Sequence, residues 1–228
     1  MVKDASAAFE GADYIKSEKL WRKATEAYPE ADLCWANLAV VLIINASDEM
    51  TLGTKPQGSA RERLDEALVA IQTAERLGQA DALLLNARGN ALGLLQQWTD
   101  AVDAYGAAVV LSARDFESIP ASNQALALLE LEETERAERV VRRIMRRDPG
   151  FVDALALLAT IRWIQGDRGG TANAIATLCS GSNGGMWCER YSTDQVVLGR
   201  WTPLAVKAYR ELLGEPSIQL ELRNGKMR

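Results

Sequence analysis

The stretch ALLLNARGNALGLLQQWTDAVDAYGAAVVLSA, residues 82–113, decides the fold. It reads as two helices of about fourteen residues each, joined by a short polar turn. Leu85, Gly89 and Leu92 fall on one face of the first helix, and Ala101, Tyr105 and Ala108 on one face of the second. Spacings of three, four and seven mark a packed helical stripe. The small Gly89 and Ala101 let two helix axes approach closely, while Leu92 and Tyr105 fill the space beside them. The stretch is one helical hairpin.

The hairpin recurs. The small residue of its second helix is found at Ala67, Ala101, Ala137 and Thr171, in steps of 34, 36 and 34. The small residue of its first helix is found at Ala39, Gly89, Ala125 and Ala159, the last two steps again 36 and 34. A helical pattern with a period near 34 means stacked units that bury their apolar faces on one another. Trp35-Ala-Asn-Leu-Ala39, Arg88-Gly-Asn-Ala91, Trp98, Ala101, Tyr105, Ala108, Ala137, Asp148-Pro149 and Gln165-Gly-Asp167 together resemble the tetratricopeptide repeat (TPR) family over roughly residues 5–178. The resemblance implies an all-α fold, a right-handed α-solenoid of TPR helical hairpins with a C-terminal capping helix. Residues 1–178 would hold about five hairpins, the first incomplete.

Composition narrows the function. The chain has 31 acidic and 26 basic residues, net −5, which argues against a general nucleic-acid binder. The longest apolar stretch, Leu33 to Ile44, is interrupted by Asn37 and too short to span a bilayer. The N-terminus lacks the apolar core of a signal peptide, so a cytoplasmic chain or a mature chain after removal of a targeting segment is expected. There is no histidine, hence no Ser-His or Cys-His pair and no imidazole ligand. Cys34, Cys179 and Cys188 do not make a four-ligand zinc site. Gly169 and Gly170 are not a phosphate loop, because no strand precedes them and no Gly-Lys-Ser/Thr follows. No catalytic residue, cofactor or metal is expected; Glu130, Glu132 and Glu133 cluster beside arginines, where charge pairing accounts for them.

Several segments depart from the repeat. The turn between Leu42 and Leu64 is enlarged by an insertion over residues 45–60, with Gly53, Pro56 and Gly58 making it irregular and Met50 and Leu52 forming an apolar tip. The helix around 134–147 pairs Glu132 with Arg136, Glu135 with Arg139 and Glu138 with Arg142, each four apart with the acid first. Arg142, Arg143, Arg146 and Arg147 make a secondary charged surface: either a solvated face, or a dock for an acidic partner or an anionic membrane. Residues 179–201 read as an irregular loop in which Cys179 and Cys188 are either bridged or two thiols; Cys34 reads as core. Residues 202–214 read as a capping helix, with Thr202 as N-cap, Pro203 first, Gly214 the stop, and Leu204, Ala208 and Leu212 in one stripe. Residues 215–228 read as a tail, extended or disordered.

Arg146-Arg-Asp-Pro149-Gly-Phe-Val-Asp153 and Arg200-Trp-Thr-Pro203 resemble TPR proteins of cyanobacteria and plastids, some of them in the thylakoid lumen. That resemblance implies a photosynthetic setting, a role as assembly or accessory factor, a plastid location after transit-peptide removal, and a Cys179–Cys188 bridge. By family analogy the concave groove is lined by Asn37, Val40, Ile44, Asn86, Asn90, Leu94, Ser122, Asn123, Thr160 and Trp163. Asparagine amides can grip an extended peptide backbone. Asn90 and Asn123 match the clamp that holds the C-terminal carboxylate of heat-shock chaperones, but the clamp's cationic positions fall on Asn86, Asp153 and Leu157, which excludes that ligand. The expectation is a non-catalytic scaffold binding a protein partner, peptide or helix, through its groove. The alternatives are an oligomerising structural subunit and an enzyme-regulatory domain.

Overall fold

Three- and four-residue apolar spacing runs through the whole chain, and the computed structural model is correspondingly helical. It describes residues 1–113, 116–180 and 184–226, which hold thirteen helices and no strand. Five antiparallel hairpins come first: α1 (Val2–Glu10) with α2 (Tyr14–Ala27), α3 (Asp32–Asp48) with α4 (Gly58–Leu77), α5 (Ala82–Leu94) with α6 (Trp98–Leu111), α7 (Ser118–Glu130) with α8 (Thr134–Arg147), and α9 (Asp153–Ile164) with α10 (Arg168–Leu178). Three more helices follow, α11 (Gly184–Arg190), α12 (Pro203–Leu213) and α13 (Pro216–Lys226). The chain divides into two compact units, Met1–Ser112 and Ala113–Arg228. The hairpins expected over 1–178 fall in both units, and the C-terminal helices belong to the second.

The small positions form the seam of every hairpin. Ala39, Ala125 and Ala159 on first helices, and Ala67, Ala101, Ala137 and Thr171 on second helices, are fully buried. The first hairpin has the same seam in Ala5 and Ser17. Where three hairpins carry alanine, the first and fifth carry a hydroxyl, which burial obliges to find a partner. Ser17 donates to the Ala5 carbonyl at 3.0 Å, and Thr171 donates to the Asp167 carbonyl at 2.8 Å with the Ala159 carbonyl 3.4 Å away across the seam.

Four of the five turns share one backbone device. Ala12, Gln96, Glu132 and Gly166 follow their first helices with φ of 57°, 60°, 61° and 79°. In the third hairpin the Gln97 amide donates to the Leu92 carbonyl and the Gln96 amide to the Gly93 carbonyl, both at 2.9 Å. The same pair of bonds closes the turns at Asp13, Glu133 and Asp167, so each is a Schellman motif. Only the last turn uses glycine for its left-handed residue. Asp13 and Asp167 then cap the following helices, accepting from the Lys16 and Gly170 amides at 3.1 and 2.8 Å.

The stretch over 45–60, expected to be irregular, is helical at its two ends and irregular in its middle. α3 runs on to Asp48 and α4 begins at Gly58, leaving residues 49–57 as the link. Glu49 ties the link back, accepting from Ser59 at 2.6 Å and from Arg63 at 2.7 Å. Met50 packs against the core of the N-terminal unit, so only Leu52 of the expected apolar tip is exposed.

The C-terminal segment departs further. Within the expected loop over 179–201 stands α11; residues 181–183 lie outside the described residues. The expected tail contains α13, whose Ile218 and Leu222 are buried. α11 and α13 cover α10, the outer member of the last hairpin. α12, expected to cap that end, packs instead on α9 and α7.

Candidate functional site

In the N-terminal unit the first helices α3 and α5 pack side by side. On α3, Leu33, Asn37, Val40 and Ile44 follow one another at spacings of four, three and four; on α5, Leu83, Asn86, Asn90 and Leu94 follow at three, four and four. Each set is one helical stripe. Each runs from an exposed leucine through amides to half-buried aliphatics. Leu33 is 71% exposed and Leu83 62%. Asn37 is exposed and donates to the Leu33 carbonyl at 2.7 Å. Val40 and Leu94 are half-buried against the core. Asn90 accepts from the Tyr105 hydroxyl at 2.9 Å, so its carbonyl oxygen is turned to its own hairpin. Asn86 is half-buried. Leu33 and Leu83, which the sequence reading left out, are the most exposed members of the two stripes; their place one turn before Asn37 and Asn86 was the available signal.

The corresponding face of the C-terminal unit is covered by the chain itself. α12 lies against the first helices α7 and α9. Its Ala205, Val206, Tyr209 and Leu212 are buried. Its first turn is capped from α7: the Leu204 amide donates to Glu130 Oε1 at 2.8 Å. Thr202 sits at the N-cap position but its hydroxyl makes no cap bond; it points to the Leu126 carbonyl at 3.4 Å. Asp153 at the start of α9 holds Arg200 through both oxygens, at 2.6 and 3.1 Å, and accepts from the Tyr191 hydroxyl. Burial, then the bond to Asp153, pushes the Tyr191 phenol well above its usual range, so it stays a neutral donor. Tyr209 donates to the Tyr191 carbonyl and meets Trp201 edge-to-face, ring centroids 5.4 Å apart.

Groove residues expected on this face are therefore internal or engaged. Thr160 is fully buried and donates to the Ala156 carbonyl at 2.9 Å. Ser122 is buried and donates to the Ile119 carbonyl at 2.9 Å. Asn123 is half-buried. Trp163 carries the Arg168 guanidinium 3.4 Å above its ring centre. Ser122 and Thr160 bond within their own helices and Trp163 is covered from α10, while α12, which the repeat period does not place, returns onto α7 and α9.

The expected charged surface is also sorted by its surroundings. Arg142 is bound to Glu138 at 2.7 Å, and Glu138 lies 3.6 Å from Arg162 of α9. Arg147 is bound to Glu117, whose other oxygen lies 3.8 Å from Arg143. Arg146 has no carboxylate partner among the described residues.

A buried charge cluster in the N-terminal unit went unread. Glu18 of α2 accepts from Arg22 at 2.9 Å, from Arg63 of α4 at 2.9 Å and from Asn45 of α3 at 2.6 Å. Burial alone would push its carboxyl up, but these three donors hold it below the usual glutamate range. The cluster is a structural clamp across three helices.

Cys179 and Cys188 are joined by a disulfide, Cα atoms 4.7 Å apart. Cys34 is buried, and burial with Asp32 nearby pushes its thiol up, which keeps it protonated and inert. Among the described residues no cluster of three acidic or sulfur side chains could hold a metal. No described helix is long and apolar enough to cross a membrane.

No family model matches the chain, and no curated protein matches it in sequence. Among solved structures it is similar to YrrB, a TPR protein with an unusual peptide-binding site, at TM-score 0.57 and 17% identity over 90% of this chain and 88% of that one. It is similar also to PilW, a widely conserved type IV pilus biogenesis factor, at TM-score 0.64 and 15% identity over 96% and 94%. At such identities the likeness speaks for the fold. With the period, the buried seam and the repeated turn, it shows that this chain has the all-α fold of the TPR solenoid proteins.

Proposed function

We propose that this protein is a non-catalytic interaction scaffold that binds a protein segment on the α3–α5 face of its N-terminal unit. The observation that carries the reading is the exposure of Leu33 and Leu83 on neighbouring first helices, while the equivalent face of α7 and α9 is occupied by α12. Exposed leucines at equivalent positions of adjacent repeats suit the apolar face of a partner. The amides of Asn37 and Asn86 between them suit a peptide backbone. The two stripes contain no Lys or Arg, so the ligand is an apolar peptide or helix face, not a chaperone's terminal carboxylate. YrrB, with its peptide-binding site, and PilW, a biogenesis factor, support a binding and assembly role for the shared fold.

A finer reading makes the chain an accessory factor in the assembly of a photosynthetic membrane complex, in a plastid and its thylakoid lumen. It rests on the resemblance at residues 146–153 and 200–203, with support from the Cys179–Cys188 bridge, which suits an oxidising compartment.

The test is a peptide array probed with the intact chain and with a Leu33→Asp, Leu83→Asp variant. Helical content and thermal midpoint would be matched first, since both positions are exposed. Peptides bound by the native chain and lost by the variant support the reading; an unchanged binding profile overturns it.

A further inference from the structure

The arginines of α8 differ in their partners. Arg142 and Arg147 are held by Glu138 and Glu117. Arg136, Arg139, Arg143 and Arg146 follow one another at spacings of three, four and three, along one side of the helix. With Leu128 of α7 and Val140 between them, these four line a concave cleft of about 310 Å³.

The cleft carries more positive charge than its surroundings balance. Arg136 is paired with Glu133 at 2.5 Å. Arg143 lies 3.8 Å from Glu117, and its Nε is buried without a hydrogen-bond partner. Arg139 and Arg146 have no carboxylate partner among the described residues. A buried, unbonded guanidinium nitrogen is costly unless something supplies an acceptor. The concentration of charge stands out in a chain whose net charge is −5.

We propose that this cleft is a binding site for a carboxylate-rich peptide segment, distinct from the apolar face of α3 and α5. Guanidinium forks match carboxylate oxygens two by two, which an ammonium does not. Val140, half-buried between the arginines, gives the cleft an apolar contact for the stems of glutamate side chains. The negative charge of the rest of the chain opposes a long polyanion such as nucleic acid.

The experiment is fluorescence polarisation on the full chain with a labelled glutamate-rich peptide, and with the same peptide carrying glutamine at each glutamate. The variants are Arg139→Gln with Arg146→Gln, Arg142→Gln as the control outside the cleft, and Leu33→Asp with Leu83→Asp for the other face. Arg139, Arg142 and Arg146 lie in the C-terminal unit and Leu33 and Leu83 in the N-terminal unit, so the two surfaces fail separately. The expected result is binding of the acidic peptide only, weakened about ten-fold by the cleft variant and by added salt, and unchanged in the other two. No binding by the native chain, equal binding of the glutamine peptide, equal loss in Arg142→Gln, or binding confined to anionic vesicles or single-stranded nucleic acid would each overturn the proposal.

Discussion

Gly89 on α5 faces the ring of Tyr105 on α6 with no room between them for a methyl group: a Cβ at Gly89 would lie 2.4 Å from the nearest ring carbon. The ring cannot step aside freely. Tyr105 is buried, and its hydroxyl is bound to Asn90 at 2.9 Å. The hairpin closes at this distance because its first helix has no side chain there.

Gly89→Ala therefore destabilises the N-terminal unit. Overpacking costs about 1–3 kcal/mol, and alanine's better helix propensity returns about 1 kcal/mol. The net loss in urea unfolding is up to about 2 kcal/mol. The companion change Tyr105→Leu removes the ring, so Gly89→Ala costs much less in that background. Additive losses in the double variant would show that the ring contact is not the cause.

The Glu18 clamp makes stability depend on acid. Burial opposes its ionisation, but the bonds from Arg22, Arg63 and Asn45 outweigh it, and its folded pKa lies below the ordinary value of 4.5. A lowered carboxylate pKa gives stability that is complete above the unfolded value and is lost as the pH falls through the folded one. The urea midpoint should hold steady above about pH 5 and drop below about pH 4.5. Glu18→Gln should cost about 1–3 kcal/mol near neutrality, where it leaves Arg22 and Arg63 short of a charge, and the gap should narrow in acid. A gap that stays constant with pH would refute the clamp's contribution.

Asp153 is the latch that holds the segment before α12 to α9. Asp153→Ala removes the paired bonds to Arg200 and the acceptor for Tyr191. Arg200 is 47% exposed, so the pair counts for about 1 kcal/mol rather than a buried bridge's larger value. Amide hydrogen exchange should quicken several-fold to about ten-fold across α12 while the α3–α4 hairpin is unaffected. Unchanged protection of α12 would mean that its apolar contacts alone hold it.

The repeat was legible because it is local. Leu85, Gly89 and Leu92, and Ala101, Tyr105 and Ala108, lie within one hairpin, and a helix converts their spacing directly into a face. The small residues at steps of 34 and 36 therefore marked the seam that the structure buries. The turns were less legible: Ala12, Gln96 and Glu132 adopt the left-handed conformation without being glycine, because two Schellman bonds hold each of them there. Helical spacing places Leu33 and Leu83 in the same stripes as Asn37 and Asn86, but it does not say which members of a stripe stay exposed.

The amino-acid sequence by itself determined the helical hairpin, its period and its buried seam, since these follow from side-chain size at fixed helical intervals. Only the tertiary structure decided which faces stay open. The bond from Leu204 to Glu130 spans 74 residues, the pair of Arg200 with Asp153 spans 47, and that of Arg63 with Glu18 spans 45. Whether an arginine is paired or faces a cleft, and whether a first helix is bare or covered by α12, depends on groups brought together across such distances, and no periodicity along the chain encodes them.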